Sequence, residues 1–364
     1  MAFAAYQKKG DVESILVIHQ GALGDFILAL PCLRILRVTF PEARTAIMGY
    51  PRILELVEKR FYAEEVLSID QRGVASFFVR GGSLDPGLSQ FFGTFDLIVV
   101  FGKIDQGTFI GNLGRVSRGQ IVQINPFPNA NERVHLTDHL LSEFSRQKFS
   151  GLKSYPRLYL NESDRARGKR FWKRQALLPE EQSKVIVIHP GSGSKKKVWP
   201  LERFLELVEY LQRHHARMMI VLGPAEAGET EKRFDQMEWS MGTKAPVLAK
   251  GLSLLELASV MEGCRYFIGN DSGVTHMAAA LGLPVIALFG PTDPKIWAPR
   301  GKRGVVIRKE MSCSPCSQEK FFLCRQPDCL REIRLEDVLQ GMKTLELSMS
   351  TSGKEKRDGR EENR

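Results

Sequence analysis

Residues 266–293 constrain the fold more than any other stretch of the chain. Tyr266 to Ile268 is an apolar run that reads as a short buried strand. The chain then turns through Gly269, Asn270, Asp271, Ser272 and Gly273. Val274 to Leu281 is Ala-rich and reads as a helix, stopped by Gly282 and Pro284. Val285 to Phe289 is a second buried strand, ended by Gly290-Pro291. Strand, polar turn, helix, strand is the repeating unit of a parallel α/β sheet.

The turn sits at the carboxyl end of a strand and the amino end of a helix. The first backbone N–H groups of a helix have no partner within it, and its dipole favours negative charge there. A diphosphate suits such a place. Local chemistry admits a second reading, in which Asp271 and Ser272 only cap the helix.

The same alternation occurs twice. Ser14 to Gln20 is a nearly continuous apolar strand of the kind buried on both faces. It is followed by a turn at Gly21–Asp25 and a helix over Phe26 to Val38, with Pro31 marking an early turn or kink. Arg44–Met48, Glu65–Ile69, Phe95–Phe101 and Ile121–Ile124 read as strands, and Pro51–Arg60 and His135–Gln147 as helices. Arg72–Gly93 reads as a loop with a short helix, and Asn125–Arg133 as an exposed loop. Glu162–Gln175 reads as a charged helix with a solvated face leading into a new domain. The pattern then restarts with a strand over Lys184–Ile188, a helix over Leu201–His214, a strand over Arg217–Leu222 and helices over Glu226–Met237 and Ser253–Met261. A chain of 364 residues exceeds what one core usually supports. The expected domains are residues 1–165 and 166–330, then a last amphipathic helix ending at 347 and a disordered polar tail over 348–364.

No apolar run approaches the roughly 20 residues of a membrane span. The first residues lack the basic segment and long apolar core of a secretory leader, so the expected location is the cytoplasm. The net charge of +10 points to an acidic partner: anionic lipid, a phosphorylated sugar or nucleic acid. The Lys and Arg residues are scattered among acids rather than clustered with aromatics, which counts against nucleic acid.

Two further turns have the same placement after a strand. Gln20–Asp25 has glycines only at Gly21 and Gly24, so it lacks the dinucleotide fingerprint and counts against a nicotinamide enzyme. Asp25 is either a helix cap or a general base. Pro190-Gly-Ser-Gly-Ser-Lys-Lys-Lys-Val-Trp-Pro200 lets a phosphate approach the backbone and offers three lysines, although it lacks the P-loop ending. It is an anion site or a basic surface loop. His276, in an Ala-rich helix, is a weak functional candidate, because such histidines usually serve packing. Cys32 and Cys264 read as core residues. Cys313, Cys316, Cys324 and Cys329 have a spacing that permits a structural zinc site, and equally free thiols or a disulfide.

These motifs together resemble glycosyltransferase family 9, the ADP-heptose lipopolysaccharide heptosyltransferases. Gly21-Ala-Leu-Gly-Asp-Phe-Ile-Leu-Ala-Leu-Pro31 is similar to its amino-terminal motif, and His189 to Pro200 to its middle motif. Asn270-Asp-Ser-Gly-Val-Thr-His276 with Phe289-Gly-Pro-Thr-Asp293 is similar to its donor-site motif. The resemblance covers roughly residues 14 to 345 and is weak between 70 and 160.

The resemblance implies a GT-B architecture: two Rossmann-like domains facing across a cleft, acceptor in the first and nucleotide sugar in the second, with the last helix crossing back to the first domain. It implies inverting transfer of heptose from ADP-heptose to the inner core of lipopolysaccharide. Asp25 would be the base. The backbone at Ser272, Gly273 and Val274, with Ser192 and Lys197, would hold the leaving diphosphate. Asp271 would bond sugar hydroxyls and Glu226 the ribose, and His276 belongs to the same substrate-binding motif. No metal or other cofactor is expected, because helix dipole and lysine supply the positive field. The expected partners are the donor, the lipopolysaccharide acceptor and the anionic inner face of the inner membrane. Alternatives on the same fold are transfer of another nucleotide sugar to another glycan, a nucleotide-sugar hydrolase or epimerase, and a non-catalytic binder.

Overall fold

A computed structural model describes residues 12–102, 107–129, 132–151, 154–224, 226, 228–237 and 245–361. The chain divides into two compact units, Met1–Asn161 and Glu162–Arg364.

The first unit runs β1 (Ser14–His19), α1 (Leu23–Thr39), β2 (Arg44–Gly49), α2 (Pro51–Leu54), β3 (Glu65–Ser68), α3 (Pro86–Phe92), β4 (Leu97–Phe101), α4 (Gly107–Val116), β5 (Gln120–Ile124) and α5 (Leu136–Arg146). Its strands form one parallel sheet in the order β3-β2-β1-β4-β5. Central parallel strands are covered on both faces, which is why β1 and β4 carry continuous apolar residues. Pro31 lies inside α1, as expected. In the turn it disturbs, the Leu28 carbonyl accepts a hydrogen bond from Thr137 Oγ1 at 3.0 Å. The helix expected over 51–60 stops at Leu54, because Lys59 takes a positive φ of 52° and Glu58 and Arg60 bridge to Ala63.

The second unit runs α6 (Glu162–Arg174), α7 (Pro179–Gln182), β6 (Val185–His189), α8 (Leu201–Arg213), β7 (Arg217–Leu222), α9 (Glu229–Asp235), β8 (Val247–Lys250), α10 (Leu254–Met261), β9 (Tyr266–Asn270), α11 (Gly273–Ala280), β10 (Val285–Leu288), α12 (Pro294–Trp297), β11 (Gly304–Ile307), α13 (Gln318–Leu323), α14 (Asp328–Arg331) and α15 (Leu335–Glu361). Its parallel sheet has the order β11-β10-β9-β6-β7-β8. Helix α8 places Phe204, Leu207, Val208 and Leu211 at helical spacing into the core against Ile186, Ile188 and Ile220. Each such side chain contributes about 1.5–3 kcal/mol by leaving water.

Both sheets carry the doubly wound Rossmann order, as expected of the GT-B class. In each, the strand order reverses at one point, between β1 and β4 and between β6 and β9. Ligands of open α/β sheets bind beyond the carboxyl ends of the strands at such points. The turns picked out from sequence after β1, β6 and β9 all lie there.

At the end of the second unit, the buried Val338 and Leu345 of α15 join that unit's own core. Helix α15 is continuous to Glu361 where a disordered tail was expected from 348. A polar, charge-mixed run does not nucleate a helix alone, but it extends one already anchored by a packed stem.

The boundary expected at 165 would cut α6, which is one body with α10. The solvated face read from its charges is real on one side only: Phe171 and Trp172 are buried, and Trp172 Nε1 donates to the Val260 carbonyl at 3.0 Å. Arg165 pairs with Glu262 at 2.9 and 3.0 Å, but this bond is exposed and contributes under ~1 kcal/mol. Gly168 decides the approach, because a Cβ there would lie 2.2 Å from the Ser259 carbonyl oxygen. Replacing Gly168 with Ala gains about 0.5–1 kcal/mol of helix propensity and loses about 1–3 kcal/mol to overpacking. Gly168→Ala is therefore expected to lower the urea midpoint of the second unit; an unchanged or raised midpoint would refute the close α6–α10 packing.

Candidate functional site

The site residues read from sequence fall into two groups, one in each unit. In the second unit the loop after β6 and the turn after β9 are stapled by Asn270, which is wholly buried at the end of β9. Its Oδ1 accepts the Trp199 N–H at 2.9 Å, and its Nδ2 donates to the carbonyls of Pro190 at 2.8 Å and Gly191 at 3.2 Å. An amide can do this because it offers both donors and an acceptor. Ser192 Oγ adds a bond to the Asp271 carbonyl at 2.8 Å.

Of the two candidate caps of α11, Ser272 takes the role: its Oγ accepts the Thr275 N–H at 3.3 Å. Asp271 does something else. It is only 6% exposed, and its Oδ2 accepts from Lys197 Nζ at 2.9 Å and from Thr292 Oγ1 at 2.6 Å. A buried carboxylate needs such partners. Its partners within the chain are a lysine and a threonine. The backbone N–H groups of Gly273 and Val274 have no acceptor among the described residues, and both residues are half-buried. Lys197 therefore stands beside a helix N-terminus with free donors, held there by Asp271. An ammonium has three donors, so Lys197 can keep Asp271 and still bind an anion.

The three lysines of the loop separate in the structure. Lys195 is exposed, and Lys196 Nζ donates to the carbonyls of Phe321 at 2.7 Å and Phe322 at 2.5 Å at the end of α13. Lys197 alone of the three pairs with Asp271. Glu226 is buried and its Oε2 accepts the Gly223 N–H at 2.8 Å. Gly191 leaves room for it, since a Cβ there would lie 1.9 Å from Glu226 Oε1. Burial holds the neighbouring His189 below the ordinary histidine range, with the Glu226 carboxylate opposing. His276 is buried within α11.

In the first unit, Asp25 is the third residue of α1, and its Oδ2 accepts the Ala22 N–H at 3.1 Å. The capping role is thus present in part, and it orients the carboxylate. Asp25 also lines a cavity of about 570 Å³ with His19, Gln20, Phe101, Gly102 and Phe127. That cavity lies where β1 and β4 end, at the point of strand reversal. Gly21 permits the crowding: a Cβ there would lie 2.6 Å from His19 Cε1 and 2.8 Å from Asp25 Cβ.

The four clustered cysteines form no disulfide. All are free, and no group of three His, Cys, Asp or Glu side chains among the described residues is arranged to hold a metal ion. Cys313 is exposed, Cys324 Sγ bonds to the Gln326 carbonyl at 3.3 Å, and Cys329 is buried against Gly290. Burial, reinforced by the neighbouring cysteines, pushes the Cys329 thiol up to about 11 and raises that of Cys316. Both therefore favour the protonated thiol at neutral pH.

Residues 128–324, more than half of the chain, match the profile of glycosyltransferase family 9 (heptosyltransferase). The chain belongs to glycosyltransferase family 9. A lipopolysaccharide heptosyltransferase 1 from Pseudomonas aeruginosa is 30% identical over 132 residues, which cover 36% of this chain and 36% of that relative. The matched stretch is thus well under two thirds of the relative's length. The crystal structure of a family 9 glycosyl transferase from Veillonella parvula superposes with a TM-score of 0.77 at 22% identity, over 95% of this chain and 100% of that one. The structure of E. coli ADP-heptose lps heptosyltransferase II gives 0.71 at 17% identity, over 93% and 99%. These likenesses show the fold. No helix among the described residues is long and apolar enough to cross a membrane.

The family 9 motifs named from sequence supply most of the residues grouped here, but four others were given no role. Asn270 and Thr292 were quoted within motifs without a role. His19 was read only as part of a strand and His189 only as the opening of the middle motif, although a histidine closing an apolar strand before a glycine is itself a signal. His19 is 5% exposed, and burial lowers its pKa to about 4, with its own backbone carbonyl opposing. In the unfolded chain it titrates near 6.5. The unfolded state therefore binds the extra proton first as pH falls. Stability is full above about 6.5, declines toward about 4, and the loss attributable to His19 approaches about 3 kcal/mol at 1.36 kcal/mol per unit. Unfolding in urea at pH 7, 5.5 and 4 should show His19→Gln losing less stability on acidification than the parent chain. Equal losses would contradict a buried neutral His19.

Proposed function

We propose that this chain is an inverting glycosyltransferase that moves heptose from ADP-heptose to the inner core of lipopolysaccharide. One observation carries the reading: Lys197, held by Asp271, stands beside the free N–H groups of Gly273 and Val274 at the start of α11. This arrangement suits a nucleoside diphosphate, whose charge grows as it leaves. Family membership and the named heptosyltransferase relative support the choice of sugar.

In this reading Asp25 takes the proton from an acceptor hydroxyl as its oxygen attacks the anomeric carbon. The bond to the diphosphate breaks in the same displacement, and the configuration inverts. One displacement needs one base and no covalent intermediate. Lys197 and the α11 backbone stabilise the departing diphosphate, with Ser192 bracing the turn through the Asp271 carbonyl. Glu226 lies beside Gly191, where it accepts hydrogen bonds from the ribose. The positive field comes from the chain itself. The acceptor is carried by a lipid, and a net charge of +10 draws the protein to the anionic cytoplasmic face of the inner membrane.

The test is release of ADP from ADP-heptose with and without a deacylated inner-core acceptor. Acceptor-dependent release is expected, and Asp25→Ala should lose about 10²–10⁴-fold in turnover while binding ADP as before. Release that ignores the acceptor would make the protein a hydrolase. Unchanged turnover in Asp25→Ala would remove Asp25 as the base.

A further inference from the structure

The mechanism above leaves one buried titratable group of the Asp25 cavity unused. His19 closes β1 and is wedged between two aromatic rings, with Phe26 edge-on and Phe101 tilted, each centroid 5.2 Å away. The Gly21 N–H donates to its Nδ1 at 3.2 Å. A ring nitrogen that accepts a hydrogen bond carries no proton, so in the neutral ring the proton is on Nε2. Nε2 has no acceptor among the described residues, and His19 is part of the cavity wall. A side chain that is 95% covered thus presents one unused N–H to a cavity whose wall also carries Asp25.

The rest of the cavity fits a sugar. Phe101, Phe127, Pro126, Leu136 and Leu140 give it an apolar side for the C–H face of a pyranose. Gln20 and Asp25 are polar. Gly21 fixes the spacing between the histidine and the carboxylate, since any side chain there would collide with both.

We propose that His19 is an acceptor-positioning residue, donating a hydrogen bond from Nε2 to an oxygen of the acceptor sugar whose neighbouring hydroxyl faces Asp25. This rests on the reading of the cavity as the acceptor pocket of a glycosyltransferase. A carboxylate acting alone accepts a proton from whichever hydroxyl reaches it. A fixed donor beside it selects one orientation of the sugar ring, and so one hydroxyl. Because the ring stays neutral across physiological pH, it orients the sugar without drawing Asp25 into an ion pair.

Steady-state kinetics with ADP-heptose and the deacylated acceptor test this in three variants. His19→Phe keeps a ring between Phe26 and Phe101 but has no N–H. It should lower kcat/KM for the acceptor roughly tenfold or more, with the KM for ADP-heptose unchanged. His19→Gln restores an amide N–H and should recover most of the loss, whereas His19→Met, of similar length without a donor, should not. The Gln–Met pair decides the matter if the Phe variant folds poorly. A folded His19→Phe with the parent's acceptor kcat/KM would overturn the inference alone, as would Gln and Met behaving alike. A parent protein that shows no acceptor-dependent turnover would overturn the functional reading and this inference with it.

Discussion

The second unit depends on one buried side-chain amide. Asn270 ties the end of β9 to the loop after β6, and it does so at the point where the strand order reverses. These bonds, with those from Ser192 and Lys197 to Asp271, fix the loop against the start of α11. The cost of leaving a buried amide and its carbonyl partners unpaired is about 1–3 kcal/mol for each group, which makes the arrangement strongly preferred once the sheet has formed. Asp271, the next residue, converts that fixed backbone into chemistry by holding Lys197. Structure and function at this turn are therefore successive residues of one strand end.

The first unit uses a different constraint. Here the close packing of His19, Gly21 and Asp25 around the start of α1 forms a small polar corner in an otherwise apolar cavity. Burial keeps the histidine neutral, and the helix start orients the carboxylate through the Ala22 N–H. A neutral donor beside a carboxylate is suited to an uncharged sugar hydroxyl, while the lysine and helix terminus of the second unit are suited to an anion. The two units thus carry complementary chemistry on the same sheet plan.

Much of this was legible in the sequence, and the reasons for the exceptions are physical. Strands β1, β4, β6 and β9 announced themselves because central parallel strands are apolar throughout. The strands β8 and β11 were not seen, since edge strands of four residues carry little pattern. Helix α4 was hidden by Gly107, Gly111 and Gly114, which argue against a helix by propensity but are tolerated in one packed against its neighbours. Asp271 and Ser272 were both plausible caps, and only geometry separates them. The roles of Asn270, Thr292 and His19 depend on partners distant in sequence, such as Trp199 for Asn270 and Phe101 for His19. Spacing along the chain holds no trace of such partners.

The central claim is that the start of α11 and Lys197 form the seat of a diphosphate. A crystal structure of the protein with ADP bound would test it most directly. The account predicts phosphate oxygens within hydrogen-bond distance of the Gly273 and Val274 N–H groups and of Lys197 Nζ, with Asp271 still on the lysine. Diphosphate bound away from this turn, or bound here in a Lys197→Met variant with unchanged affinity, would contradict it.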